Sequence, residues 1–267
     1  MWSPLQRTPA GNLCAAGGNR KSRRPPPKRW RKGPAGKRAA EAIGLTRSAN
    51  TGDAMDQFLF DSRQHYWDHV ARHYDGSVHQ LGGAVPRMIE RLTSAVSGCH
   101  AVLEVGAGTG LVTRALARSA RLVIATDYAR EMVEVLHDRV AQEGLRNVKP
   151  FQIDLYALPG DLGSFDAVVA ANVLHLVEDL PLALAALGRA LKPGGRLLVP
   201  TSCYAESLAA RALGHLMVLG DLPLRQRLTT AALADAMAAA GMGITHVETL
   251  AGVVPIGYVA AIKPLQS

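Results

Sequence analysis

Val102-Leu103-Glu104-Val105-Gly106-Ala107-Gly108-Thr109-Gly110 decides the fold of this 267-residue chain. An apolar run of strand character ends in an acid and a glycine-rich turn, after which the pattern becomes helical. Gly106 and Gly108 let the backbone turn sharply and approach a ligand where a Cβ would collide. Outward from this stretch, short apolar runs alternate with longer helical patterns. The predicted strands cover 101–105, 121–126, 148–153, 165–171 and 195–199, with helices over 110–119, 129–143 and 180–191 between them. Helices over 58–75 and 85–96 come before, and helices over 205–219 and 229–240 come after. Two late strands lie near 245–249 and 257–262. Nearly continuous apolar strands separated by helices indicate a parallel sheet covered on both faces. Right-handed crossovers make it an α/β, Rossmann-like, doubly wound three-layer sandwich.

A glycine turn that opens a helix offers free N–H groups and partial positive charge to a nucleotide-like ligand. Dinucleotide sites use the same device, but with GxGxxG spacing; here the third glycine is displaced by one position. Glu104, two residues before Gly106, repels a pyrophosphate and suits the ammonium and sulfonium of S-adenosylmethionine. The competing reading is a strand-end acid facing solvent. Asp127 closes the second strand 21 positions after Gly106, matching a carboxylate that accepts from ribose hydroxyls. It also stands where Asp caps the helix beginning at 129. Asp154 can accept an adenine amino group while the Leu155 N–H meets a ring nitrogen, or it is a plain loop acid. Ala107 and Tyr128 belong to the same two loops. Asn172 ends the fourth strand, on the edge that lines the ligand crevice in open sheets.

The segments VLEVGAGTG (102–110), ATDYAREMVE (125–134), QIDLYALP (152–159), FDAVVAANVLHLVED (165–179) and LKPGGRLLV (191–199) occur in order at ordinary spacing. Together they resemble the class I S-adenosylmethionine-dependent methyltransferases, in particular the type 11 group with the ubiquinone and menaquinone methylases. The resemblance implies a seven-stranded, mostly parallel sheet that ends in an antiparallel hairpin, which the two late strands supply. It also implies that Glu104, Gly106, Gly108, Asp127, Asp154 and Leu155 hold the cofactor and that Asn172 lies beside the methyl donor. Tyr74, in the WDHVARHYD stretch, is expected to close over the methionine end.

Methyl transfer from a sulfonium is an in-line displacement, for which positioning alone supplies roughly 7–11 kcal/mol. A general base is needed only where the nucleophile must lose a proton. His175, Cys203 and Tyr204 follow strand ends on the crevice side, with His175 the best placed by chemistry because imidazole titrates near neutrality. His175 and Tyr204 are the candidate catalytic residues, against the reading of His175 as a rim residue and Cys203 as a small apolar filler. Amino-group methylases that act on nucleobases carry Asn/Asp-Pro-Pro-aromatic after the fourth strand. Asn172-Val173-Leu174-His175 cannot form that platform, which disfavours base flipping and leaves a small-molecule or lipid-like methyl acceptor.

Charge divides the chain. Residues 1–54 carry twelve Lys and Arg against Glu41 and Asp53, a net of +10, while 55–267 carry 18 basic and 20 acidic side chains, a net of −2. The Pro- and Arg-rich leader cannot build a core and reads as disordered, with 55–267 as the methyltransferase domain. It lacks an apolar h-region, and no run approaches the roughly 20 apolar residues of a membrane span. Cysteines at 14, 99 and 203 are too scattered for a disulfide framework or a zinc site, so a cytoplasmic setting is expected. His65, His69 and His73 share a helix face but lack a companion ligand, so no metal is expected. Two other functions fit parts of the pattern: a nicotinamide-dependent oxidoreductase on the same glycine turn, and an RNA-modifying protein that uses the basic leader. The body has no basic stripe for nucleic acid. The sequence is silent on oligomeric state.

Overall fold

The computed structural model describes residues 66–67, 83–159, 165–219 and 222–265. A first helix, α1 (Ala84–Ala95), leads into β1 (Ala101–Val105). There follow α2 (Thr113–Leu116), β2 (Leu122–Asp127), α3 (Arg130–Gln142), β3 (Val148–Gln152), a single 3-10 turn (Leu155–Ala157) and β4 (Phe165–Val169). Then come α4 (Leu180–Ala190), β5 (Leu191–Ser202), α5 (Leu208–Leu219), α6 (Thr230–Ala239), β6 (Gly243–Leu250) and β7 (Ile256–Ile262). All seven strands form one sheet in the order β3-β2-β1-β4-β5-β7-β6. The first five run parallel, and β7 lies antiparallel to both β5 and β6. The expected mostly parallel sheet with a closing hairpin is therefore what forms.

The two-residue period of a strand sorts the core onto the two faces. Leu103, Val105, Ile124, Val168, Leu197 and Val199 pack with Leu184 and Leu187 of α4 and Leu233 and Met237 of α6. Their neighbours Val102, Val123, Ala125, Ala167, Val169 and Leu198 pack with Met88 and Leu92 of α1, Leu116 of α2 and Leu136 of α3. Helices thus cover both faces, giving three layers. By the same alternation Glu104 belongs to the α1–α3 face with Val102.

Caps fix where several helices begin. Asp179 Oδ1 accepts from Leu182 N at 2.8 Å ahead of α4, and Thr229 Oγ1 accepts from Ala232 N at 3.1 Å ahead of α6, each satisfying an orphan donor of a first turn. The helix expected over 110–119 is shorter, because Gly110 adopts φ +94° and a Cβ there would stand 2.5 Å from Leu136 Cδ1. Close packing on α3 sets a turn at Gly110, and regular helix begins only at Thr113.

Order reverses between β1 and β4, since the chain builds outward to β2 and β3 on one side and to β4 and β5 on the other. Such a switch point opens a crevice at the carboxyl ends of the strands. No helix among the described residues is long and apolar enough to cross a membrane.

Candidate functional site

One cleft occupies this switch point, and its lining includes Glu104, Gly106, Ala107, Gly108, Asp127, Tyr128, Asp154, Leu155 and Asn172. The residues expected to hold the cofactor are thus brought together, Tyr74 excepted, which lies outside the described residues. The His65, His69 and His73 row lies outside them too. Among the described residues no group of three or more His, Cys, Asp or Glu could hold a metal.

The glycine turn takes its shape from its neighbours. Gly106 has φ +66° and Gly108 φ +54°, the left-handed region that glycine enters without penalty. A Cβ on Gly106 would lie 2.3 Å from Val173 Cγ2, so the loops after β1 and β4 touch there. Asp127 ties the turn to β2: its Oδ2 accepts from Gly108 N at 2.8 Å and its Oδ1 from Ala129 N at 2.9 Å. Asp127 thus braces the glycine turn against the entry to α3; the N-cap itself is Ala129, which has no side-chain cap bond, so the expected capping role of Asp127 does not form. Asp154 Oδ1 accepts from Tyr156 N at 2.9 Å and holds the 3-10 turn that brings Leu155 to the cleft.

Glu104 does not face solvent. It is 1 % exposed, and its Oε2 has no hydrogen-bond partner among the described residues. Burial pushes its carboxyl up to about 8, the Thr113 hydroxyl beside it opposes the rise, and the Asp127 charge adds to it. A buried acid with an unpartnered oxygen is costly, and a cationic group in the cleft relieves that cost by pairing with it. An ammonium-bearing cofactor fits this donor-poor, acid-floored corner; a pyrophosphate does not.

Asn172 is the one non-glycine residue with positive φ (54°) among those described, a conformation Asn tolerates better than most. Its N–H donates to Pro200 O at 2.8 Å and its Oδ1 accepts from Ser202 Oγ at 3.1 Å, which locks the β4 loop onto the end of β5.

His175 and Tyr204 do not line the cleft. His175 is 5 % exposed, and burial lowers its imidazole to about 4, so it is neutral at physiological pH. Its Nδ1 meets Thr201 Oγ1 at 3.1 Å, and its carbonyl accepts from Arg225 N and Gln226 N, both at 3.0 Å. Gln226 Nε2 in turn donates to Val177 O and Glu178 O at 3.1 and 3.0 Å. These bonds strap the segment after α5 onto the β4 loop and deliver Pro223 to the cleft. Tyr204 is buried, and its hydroxyl donates to Met217 Sδ at 3.5 Å. Cys203 is buried, and burial pushes its thiol up, which matches an inert filler.

Sequence reasoning missed the apolar wall: Trp67, Met88, Met132, Leu176, Val177 and Pro223 also line the cleft. Trp67 packs on Ala129 and Met132 at the head of α3, and its place in the helix expected over 58–75 was its only signal. Pro223 and Thr113 gave none.

A nucleotide-like cofactor enzyme of the doubly wound class is what the switch-point cleft, the glycine turn and the three strand-end acids define. Residues 102–195 match the family described as a methyltransferase domain. The chain is 33% identical over 168 residues to the ubiquinone/menaquinone biosynthesis C-methyltransferase UbiE of Teredinibacter turnerae, covering 60% of this chain and 68% of that one. The corresponding protein of Cellvibrio japonicus is 38% identical over 137 residues, covering 49% of this chain and 55% of that one. The chain thus spans between about half and two thirds of these curated relatives. Among solved structures, the DhpI–SAH complex superposes with a TM-score of 0.62 at 26% identity, over 78% of this chain and 98% of that one. The chain belongs to the class I S-adenosylmethionine-dependent methyltransferases, and S-adenosylmethionine is its cofactor. The nicotinamide reading of the glycine turn is thereby set aside.

Proposed function

We propose that the protein transfers a methyl group from S-adenosylmethionine to an N, O or C nucleophile of a small-molecule or lipid-like acceptor, in the cytoplasm. The observation that carries this reading is the composition of the cleft: its lining combines Glu104, buried with one oxygen unpartnered, with the apolar side chains of Trp67, Met88, Leu176, Val177 and Pro223. The acid suits the cofactor's charged methionine portion, and the apolar side chains suit an acceptor with little charge. The bound cofactor supplies an electrophilic methyl on a sulfonium.

The chain's residues then have simple tasks. Glu104 pairs with the ammonium, Gly106, Ala107 and Gly108 admit the cofactor's backbone-close portion, and Asp127 with Tyr128 holds the ribose end. Asp154 and Leu155 meet the adenine, Asn172 stands beside the methyl donor, and Tyr74 closes over the methionine end. Orientation of the acceptor supplies most of the acceleration. His175 and Tyr204, buried behind the wall, act as positioning residues, His175 through the segment that carries Pro223. The absence of a Pro-Pro-aromatic platform after Asn172 supports an acceptor other than a nucleobase. The catalytic unit is 55–267, and the basic leader is dispensable for transfer.

The test is a radiolabelled-methyl screen across metabolite and lipid extracts, with Asp127→Ala as the inactive control. Label entering a small or lipid-like molecule supports the reading; label entering only RNA refutes it. Comparing salt-dependent RNA binding of the full chain with one beginning at Met55 tests the leader. RNA methylation that disappears with the leader would restore the nucleic-acid reading.

A further inference from the structure

Among the described helices, α5 stands out for what it leaves uncovered. Leu208, Ala212, Leu216 and Leu219 recur at i, i+4, i+8 and i+11, one face of the helix. Leu208 is 82 % exposed, Leu216 65 % and Leu219 83 %. On the opposite side Ala210 and Gly214 are buried, and a Cβ on Gly214 would come 3.0 Å from the Tyr204 ring. Small residues seat the helix tightly on the body while its leucines are turned out to water. Single exposed leucines are ordinary, but a continuous stripe marks an interaction surface.

Cations flank the stripe. Arg211 is exposed on α5 itself. His215 Nδ1 donates to Arg211 O at 2.7 Å, leaving Nε2 to accept from Arg227 Nη1 at 2.9 Å, so Arg227 is held against the helix. Arg225 is exposed on the following segment, 4.0 Å from Glu178. Among the described residues nearby, the acid Glu206 is engaged by the N–H of Thr230 at 2.7 Å, and in sequence Asp221 follows Leu219 by two positions. Arg211 and Arg227 therefore stand on and against α5, Arg225 lies on the segment that follows it, and the chain as a whole carries a leader of net +10. A second copy of the chain would use the leucines but gain nothing from the cations. A nucleic acid would use the cations but stack on aromatics rather than leucines. An anionic bilayer surface uses both, with apolar residues in the acyl boundary and basic ones at the headgroups.

We propose that α5 is the face by which the protein lies on an anionic bilayer, with Leu208, Leu216 and Leu219 in the interface and Arg211, Arg225 and Arg227 at the headgroups. The segment after α5 carries Pro223 into the cleft, so docking sets the apolar wall of the cleft beside the membrane. That consequence rests on the lipid-like acceptor of the proposed function; the docking itself does not.

The experiment is co-sedimentation of the full chain with phosphatidylcholine vesicles containing about 30 mol % phosphatidylglycerol, against pure phosphatidylcholine. The wild type is expected to partition onto the anionic vesicles and to leave them as salt rises. Leu216→Asp with Leu219→Asp is expected to cut partitioning about tenfold or more. Arg211→Gln with Arg227→Gln is expected to weaken the preference for anionic vesicles without abolishing it, because the leader keeps its net +10. Calorimetric titration of each variant with S-adenosylhomocysteine, unchanged from wild type, shows that the fold is intact. No wild-type partitioning, or equal partitioning by the leucine variant, overturns the proposal. So does a wild-type dimer in sedimentation velocity that the leucine variant dissolves, because the face then covers a second copy. Vesicle binding without any lipid methylation upholds the docking and removes the lipid-like acceptor, so the two readings fail separately.

Discussion

Replacing Glu104 with Gln separates stability from cofactor binding. The amide keeps the shape of the side chain and cannot ionise. In the wild type the buried carboxyl stays protonated to about pH 8, whereas an unfolded chain ionises near its ordinary 4.5. A folded value raised above the unfolded one contributes stability that is fully present below pH 4.5 and is lost as pH rises toward 8. At pH 7 the gap spans about two and a half decades of ionisation, roughly 3 kcal/mol at 1.36 kcal/mol per decade. The substituted amide escapes that loss. The variant is therefore expected to match the wild type near pH 5 and to exceed it by about 3 kcal/mol at pH 7, equivalent to about 6–12 °C in Tm for a domain of this size. Urea unfolding of both proteins from pH 5 to 9 measures the difference.

Cofactor binding responds in the opposite direction. An ammonium against Glu104 favours the ionised carboxylate, so binding below pH 8 releases a proton. Wild-type affinity for S-adenosylhomocysteine is expected to strengthen from pH 6 to 8, with proton uptake by the buffer visible when titrations are run in buffers of different ionisation enthalpy. Glu104→Gln is expected to bind about tenfold or more weakly, through loss of a charge-assisted contact worth about 1.5–3 kcal/mol, and to release no proton. Parallel stability curves for the two proteins across pH 5–9 would refute the assignment of Glu104 as a buried neutral acid.

Three further outcomes follow from the same geometry. Gly106→Ala places a methyl 2.3 Å from Val173 Cγ2 at φ +66°, so cofactor binding measured by calorimetry should be lost; adding Val173→Ala should restore it only in part, because the backbone penalty of about 1 kcal/mol remains. Asp127→Ala removes the acceptor for Gly108 N and Ala129 N, an expected cost of about 1–3 kcal/mol in urea unfolding, with S-adenosylhomocysteine binding abolished. His175, depressed to about 4, is buried neutral, so the wild type loses stability as pH falls from 6.5 toward 4. His175→Gln should remove that loss, worth about 2 kcal/mol at pH 5, and a methyl-transfer rate that kept its pH profile in the variant would exclude a general-base role.

What could be read from the chain before its structure follows from topology. In a doubly wound sheet the carboxyl ends of the parallel strands converge on one edge, so Glu104, Asp127, Asp154 and Asn172 could be assigned to one crevice by knowing only where each strand stops. Strand ends are legible because apolar runs end at polar residues and glycines. The helix over 110–119 was not, because its first turn is cancelled by Leu136, 26 residues from Gly110 in sequence and in contact with it in space. Residue type also hid the environment of two acid–base groups. A histidine after a strand reads as a candidate base or as a plain rim residue, and only burial against Thr201 and Tyr204 reveals it as neutral and inward. Glu104 reads as an acid facing the cofactor or, in the competing reading, solvent, and only the sealed corner reveals that it is buried and keeps an unpartnered oxygen.

The two sides of the cleft were unequally legible for a physical reason. The cofactor side is made of strand ends, whose positions the sheet register dictates. Trp67 and Pro223, which also line the cleft, arrive from segments with no periodic link to the sheet and are held by tertiary bonds: Trp67 by packing on Met132, and the segment of Pro223 by the His175 carbonyl and the Gln226 amide. Those anchors act on backbone carbonyls, which any residue supplies. The apolar part of the lining can therefore change its side chains without disturbing the strand-end acids, so the strand-end half of the cleft is written in the sequence pattern and the rest in the packing of two straps.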